Sequence, residues 1–170
     1  KPYTDEEAVE VISEMYRYIP KYLRVMRIRR DIPADEVVAG TKHSNLRELV
    51  EKRCLEKGIR IMEIRFREVG LQMWKQKKQP DPRRLQITRL TYEASGGIEE
   101  FLAVEDPEAD IIVGFLRMRI PSEKAHRREV DSNTAIIREL HVYCPEIPVG
   151  SRAELALQHK GWGSKLLAKA

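Results

Sequence analysis

Apolar residues along this chain fall into two regimes. Ala8, Val11, Ile12, Met15 and Ile19 recur at helical spacing behind Thr4, which has Glu7 three residues on. That arrangement predicts a capping box and a helix running to about Tyr18, stopped by Pro20. Residues 22–28 then alternate apolar with basic positions, the pattern of a half-buried strand. Such a strand would present Arg24 and Arg27, with Arg29 and Arg30 beyond, near one surface. Turn chemistry follows at residues 31–34 and around Gly40. Ser44 or Asn45 would cap a helix over 46–57 that ends at Gly58, with Leu46, Leu49, Val50, Arg53 and Cys54 on one side. Residues 59–69 mix apolar and basic side chains. Residues 74–84 are polar and bounded by prolines, which marks either a boundary between modules or a loop touching RNA.

From Leu85 onward the helical period gives way to alternation. Residues 85–92 alternate, Gly96 and Gly97 make a turn, and 98–105 read as a strand with room for a bulge. Residues 106–110 are turn chemistry, 111–120 a strongly apolar strand ended by Pro121, and 122–133 a polar loop. A β-branched strand then covers 135–143. Gly161 and Gly163 open a run of Ser, Lys, Leu and Ala that favours helix. An antiparallel meander feeding a helix predicts an α+β fold.

With 170 residues and 19.8 kDa, the chain can bury one core, or one domain plus a fragment of another. Its 34% of charged residues describe a soluble globular protein, suit a thermophile, and leave no apolar run near the ~20 residues that span a bilayer. Cys54 and Cys144 are too few and too distant for a disulfide framework or an autonomous zinc site, so a cytoplasmic setting is expected. The opening residues have neither an apolar core nor an initiator Met, which reads as a start inside a longer protein. Charge is uneven: residues 1–91 carry 21 Lys/Arg against 14 Asp/Glu (+7), and 92–170 carry 10 against 13 (−3), summing to +4. A basic first half fits a polyanion partner; it also fits helix faces solvated by Lys and Arg.

The candidate chemistry lies in the last third. A strand, a connection and a glycine-bearing turn opening a helix can hold phosphate, because the first N–H groups of the helix have no partner of their own. Gly161 and Gly163 let the backbone approach, and Lys160 and Lys165 add positive charge. A helix beginning at glycine for packing alone has the same wording. Glu139 and His141 share a strand face and are candidates for a general base, or for a hydrogen-bonded pair steadying the strand. Trp162 would cover a ligand or pack in the core. Trp74 beside Lys75, Lys77, Lys78, Arg83 and Arg84 suits phosphate contact with base stacking, and equally an ordinary solvated linker.

Gln158, Gly161 and Gly163 in the order Gln-x-x-Gly-x-Gly, after the strand bearing Glu139, Leu140, His141 and Val142, resemble the acetyl-coenzyme A signature of the GNAT acetyltransferases. Arg29 to Pro33, Asn45 to Leu49, Arg67 to Gly70, Phe101-Leu102 with Glu105 to Pro107, and Arg138 to Tyr143 follow at the spacing of the Elongator catalytic subunits, the archaeal-like ones in particular. That family joins a radical-SAM domain to a GNAT-like domain and modifies tRNA uridines.

The resemblance implies an incomplete GNAT-like sheet over 85–170. Before it come the tail of a radical-SAM α/β barrel over 1–32 and a basic, tRNA-binding connection over 33–84. It implies acetyl-CoA on Glu139, Leu140, His141, Val142, Gln158, His159, Lys160, Gly161, Trp162, Gly163, Ser164 and Lys165, with the strand contributing backbone. It implies tRNA on Arg24, Arg27, Arg29, Arg30, Lys75, Lys77, Lys78, Arg83 and Arg84. The full-length protein would also use S-adenosylmethionine and a 4Fe–4S cluster, whose closely spaced cysteine trio this chain lacks. Relatives carry zinc-like cysteines near residues 61–66; Ile61, Glu63 and Phe66 stand there, so apolar packing without zinc is expected. A tRNA carboxymethyluridine synthase is the activity so implied, with tRNA, a second copy or other Elongator-type subunits as partners and no membrane. An acetyltransferase acting on protein lysines or small amines, and a non-catalytic RNA-binding module, are the alternatives.

Overall fold

Thr4 does cap the first helix. Its Oγ1 accepts from the Glu7 amide (3.2 Å), and Glu7 Oε2 accepts from the Thr4 amide (2.8 Å). Helix α1 spans Asp5–Met15, and a 3-10 turn extends it over Tyr16–Tyr18. These elements come from a computed structural model, which describes residues 2–30, 32–127, 129–131, 133–143 and 161–170. The chain divides into two compact units, residues 1–66 and 67–170. The division falls inside the stretch 33–84 read above as a connection.

In the first unit α1 packs on α2 (Leu46–Glu56) around Val9, Tyr16, Leu46, Val50, Cys54, Ile59 and Ile61. Lys57, just past α2, ties the helices by donating to Glu14 Oε1 (2.6 Å) and to Glu10. Asn45 holds the N-cap position, but only its backbone carbonyl bonds the helix, accepting from Glu48 and Leu49.

Residues 22–28 do not form the strand their alternation predicts. The backbone there bonds to side chains instead of to a neighbouring strand: Glu63 Oε2 accepts from the Val25 amide (3.0 Å), and Arg47 Nη2 donates to the Val25 carbonyl (2.6 Å). Glu63 also takes the amides of Arg65 and Phe66, so a fully buried carboxylate sits where apolar packing alone was expected. Arg29 plays the complementary part, donating to the carbonyls of Arg30, Ile32, Thr41 and His43. One carboxylate collects amides and one guanidinium collects carbonyls, which gives irregular backbone partners where no strand supplies them.

A single turn, α3 (Ile64–Arg67), precedes α4 (Val69–Gln76). Helix α4 takes up Trp74 and Lys75, so the open segment begins at Lys77, whose φ of 55° ends the helix in left-handed conformation. Four antiparallel strands follow in spatial order of sequence: β1 (Gln86–Ala94), β2 (Gly97–Asp106), β3 (Ile111–Ile120) and β4 (Ile136–Val142). Ser95 and Gly96, both at positive φ, close the first hairpin, and a bulge interrupts the β2–β3 pairing at Val104/Glu105. Helix α5 (Trp162–Lys169) lays Leu166 into a core with Val69, Leu102, Val104, Ile111, Val113, Leu116 and Met118. Arg67, almost wholly buried, donates to Asp110 Oδ1 (2.7 Å) and to Glu105, anchoring the chain before α4 to the bulged end of β2. The result is α+β with a mostly antiparallel sheet.

Candidate functional site

Among the described strands β4 lies at the margin of the sheet, paired on one side with β3 in the register Gly114↔Val142, Phe115↔His141, Leu116↔Leu140 and Arg117↔Glu139. Its side chains are largely exposed, unlike those of β2 and β3. Arg138 is the extra residue where the register slips beside Arg117/Met118. Gly114 brings β4 in close. A Cβ there would stand 2.8 Å from the His141 carbonyl oxygen and 3.2 Å from Val142 Cα. A lone glycine in an otherwise bulky apolar strand is the sequence mark of such an approach.

Helix α5 begins at Gly161, whose φ of 65° is left-handed and free of Cβ strain only in glycine. Among the described residues no side chain caps this end. The amides of Trp162, Gly163 and Ser164 occupy the first turn, where a helix has no carbonyls of its own to bond. Gly163 faces the end of β4, a Cβ built on it lying 3.8 Å from Val142 Cγ2, an ordinary contact. Lys165 Nζ sits 4.3 Å from the Trp162 ring centroid, a cation–π contact that fixes the ammonium over this end of the helix. The Trp162 indole N–H is buried and has no partner among the described residues. Thus Glu139, Leu140, His141, Val142, Gly161, Trp162, Gly163, Ser164 and Lys165 lie along one strand and the helix turn against its end. Gln158, His159, Lys160 and Cys144 lie outside the described residues.

Glu139 and His141 share the strand without a hydrogen bond between them among the described residues. Glu139 Oε2 lies 3.8 Å from Arg117 Nε, and Arg117 donates to the Tyr92 hydroxyl (2.9 Å). The His141 ring stacks near Tyr143 (6.2 Å between centroids) and Phe115 (5.2 Å). Arg117, which the motifs above do not include, thereby sits between the Phe101 and Phe115 rings and the Glu139 carboxylate.

Several of the basic residues bond within the fold. Arg29 is consumed by backbone carbonyls, as described. Arg83 and Arg84 both bond Asp81, and Arg84 also reaches Glu108. Hydrogen bonds from Arg83, side chain and backbone, and then from Arg84 hold the Asp81 carboxyl well below its usual range. Lys77 donates to the Trp74 carbonyl (3.0 Å). Arg30, Lys75 and Lys78 are exposed, Arg24 is half-buried and Arg27 is exposed. Cys54 is buried in the apolar cluster, and burial pushes its thiol up to about 11, which leaves it unreactive near neutrality. Among the described residues no group of three His, Cys, Asp or Glu side chains is arranged to hold a metal ion, and no helix is long and apolar enough to cross a membrane.

Comparison with known proteins first gives the class. Residues 1–56 match the Radical_SAM C-terminal domain. Along its entire length the chain is 48% identical to a tRNA uridine(34) acetyltransferase of Methanocaldococcus jannaschii, covering 31% of that protein. It is 41% identical to human Elongator complex protein 3, again covering 31% of it. The solved structure of the archaeal Methanocaldococcus infernus Elp3 with an N-terminal deletion superposes with a TM-score of 0.89 at 46% identity, over 99% of this chain and 40% of that one. The chain is a homologue of these Elongator complex protein 3 and tRNA uridine(34) acetyltransferase proteins over its whole length, and it spans about a third of the curated relatives it matches.

Proposed function

We propose that the full-length protein is an acyltransferase that installs a carboxymethyl-type group on the wobble uridine of tRNA, and that this chain supplies its acetyl-CoA cradle and part of its tRNA surface. The observation that carries the reading is the meeting of strand β4 with a glycine-led helix end that no described side chain caps, Val142 against Gly163. The backbone of residues 139–142 offers donors and acceptors to an amide-bearing arm. The amides of Trp162, Gly163 and Ser164, the Trp162 indole N–H and the Lys165 ammonium offer positive partners to a pyrophosphate. An unpaired, buried indole N–H fits a ligand with acceptor oxygens. Gln158, His159 and Lys160 complete the proposed set. When bound, acetyl-CoA supplies the activated acetyl group; Glu139 and His141 are the candidates to take a proton from water or from an acceptor.

The relatives' names support tRNA as substrate. Arg24, Arg27, Arg30, Lys75 and Lys78 are the cations we assign to its backbone, with Arg29, Lys77, Arg83 and Arg84 shaping the loops around them. Residues 1–32, 33–84 and 85–170 serve as the end of the radical-SAM domain, the connection and the GNAT-like part. S-adenosylmethionine and a 4Fe–4S cluster belong to the rest of the protein, other Elongator subunits or a second copy are its partners, and the cytoplasm is its setting. The chain alone does not complete the reaction.

The test is an assay of the full-length protein with labelled acetyl-CoA, with and without tRNA. Release of coenzyme A that depends on tRNA, with a mass gain on the wobble uridine, is the expected result. Label appearing on protein lysines without any need for tRNA would contradict it.

A further inference from the structure

The far end of the sheet holds a groove of about 600 Å³ that none of the residues above explains. It lies between the β1–β2 turn, the end of β3, the loop after Pro121 and the start of β4. Pro121, Val130 and Ile136 make its apolar lining. Its charged and titratable lining is Arg119, Lys124, His126 and Arg127, with no carboxylate among the described lining residues.

Arg119 forms a fixed wall. It donates to the carbonyls of Ala94 (2.9 Å) and Ser95 (3.1 Å) and pairs with Glu99, a buried carboxylate that also takes Arg138 from the β4 bulge (2.5 Å). Lys124, His126 and Arg127 are exposed and carry donors at the mouth. An apolar lining beside the cations Lys124 and Arg127, with the Arg127 guanidinium and the His126 ring as planar groups on which a base can stack, matches one chemical class well: a nucleobase with its attached phosphates. Strand β4 runs from this groove at Ile136 to the α5 turn at Val142, six residues or about 20 Å. The two sites therefore lie at opposite ends of one strand.

We infer that the groove lined by Arg119, Lys124, His126 and Arg127 takes a nucleotide of the single-stranded part of the RNA substrate, its base against Pro121, Val130 and Ile136. The inference rests on the tRNA reading given above. It adds an RNA-binding point at the opposite end of β4 from the proposed cofactor cradle. An acidic peptide is the competing occupant; the planar side chains of His126 and Arg127 beside Pro121, Val130 and Ile136 favour the flat base.

The experiment uses the full-length protein and a fluorescent anticodon stem–loop RNA, with anisotropy read across a salt series. Lys124→Glu/Arg127→Glu should weaken binding at least tenfold and lower the slope of log affinity against log salt by roughly 1–2, about one for each phosphate no longer neutralised. Ser122→Lys adds a cation to the lining and should tighten binding about two- to threefold, a gain that misfolding cannot produce. Acetyl-CoA binding should stay unchanged in both variants, because Val142 and Gly163 are untouched.

Unchanged RNA affinity and salt slope in both variants would overturn the groove assignment while leaving the tRNA reading intact. A wild-type protein that binds no RNA would overturn both. Preference of the wild-type groove for a poly-glutamate peptide over the stem–loop, abolished in Lys124→Glu/Arg127→Glu, would overturn the assignment in favour of a protein partner.

Discussion

The two units bury irregular and regular backbone by different means. In the second unit the backbone bonds itself: β2 and β3 pair along their whole length, and their side chains are nearly all buried. In the first, residues 22–30 and 63–66 have no strand to pair with. Two side chains take up irregular backbone there: Glu63 the amides of Val25, Arg65 and Phe66, and Arg29 the carbonyls of Arg30, Ile32, Thr41 and His43. The sheet spreads its cohesion over many bonds. The first unit concentrates it on two ions. A sheet organised in that way can leave one margin open for a ligand, because β4 is positioned by β3 and not by what covers it. A loop held by a central ion has no such latitude; removing the ion removes the loop.

Glu63→Leu should break the contrast most strongly. It keeps the volume but leaves the amides of Val25, Arg65 and Phe66 without an acceptor and Arg47 without one of its partners. A cost of about 3–5 kcal/mol to the first unit follows from uncompensated buried polar groups. Hydrogen exchange should show protection disappearing around residues 23–28 and 63–66, with the strands of the second unit unaffected. Equal deprotection of both units would mean that the sheet also depends on this carboxylate.

Gly114→Ala is the corresponding blow to the sheet, and it should be smaller. The new Cβ meets backbone at 2.8 Å, so β4 must move outward, for about 1–3 kcal/mol. The informative readout is local. Exchange should quicken at Leu140 to Val142, and acetyl-CoA affinity should fall, while the β1–β2 pairing stays protected.

The smallest effect concerns the surface clamp between α1 and α2. Hydrogen bonds from Arg17 and then Lys57 lower the Glu14 carboxyl from its ordinary value near 4.5 to about 2. A depressed folded-state value means stability present above about pH 4.5 and lost as pH falls toward about 2. Glu14→Gln should remove that part of the pH dependence: the variant should melt slightly below the parent at neutrality and the two should converge toward pH 2, checked by thermal melts from pH 2 to 7. Because the pair is exposed, the shift in melting temperature should be slight.

The second unit was the more legible in the sequence, for a physical reason. Alternation reports a pleated backbone whose neighbours are other strands, so 85–92, 98–105 and 111–120 read correctly, down to the turn at Gly96 and the room for a bulge. In the first unit the same alternation at 22–28 was misleading. The pattern records which side chains are buried, and is silent on whether a strand or a carboxylate meets the backbone. Helix α4 was masked because its last turn, Trp74 to Gln76, is polar and exposed. The glycine-led turn of α5 was legible from two letters. The roles of Gly114 and Arg117 needed the register between β3 and β4. Arg29, Arg83 and Arg84 also bond within the fold, which a count of arginines does not report.

The most direct test of the central claim is calorimetric titration of acetyl-CoA into the full-length protein and its Gly163→Glu variant. Residue 163 suits the purpose better than Gly161, since its backbone accepts any side chain and a Cβ there makes only ordinary contact with Val142. A carboxylate in the first turn of α5 favours the helix and repels a pyrophosphate. The account predicts binding by the parent protein and at least tenfold weaker binding by the variant with the fold unchanged. Equal affinity in the two would contradict it, because the phosphates would then lie somewhere other than the start of α5.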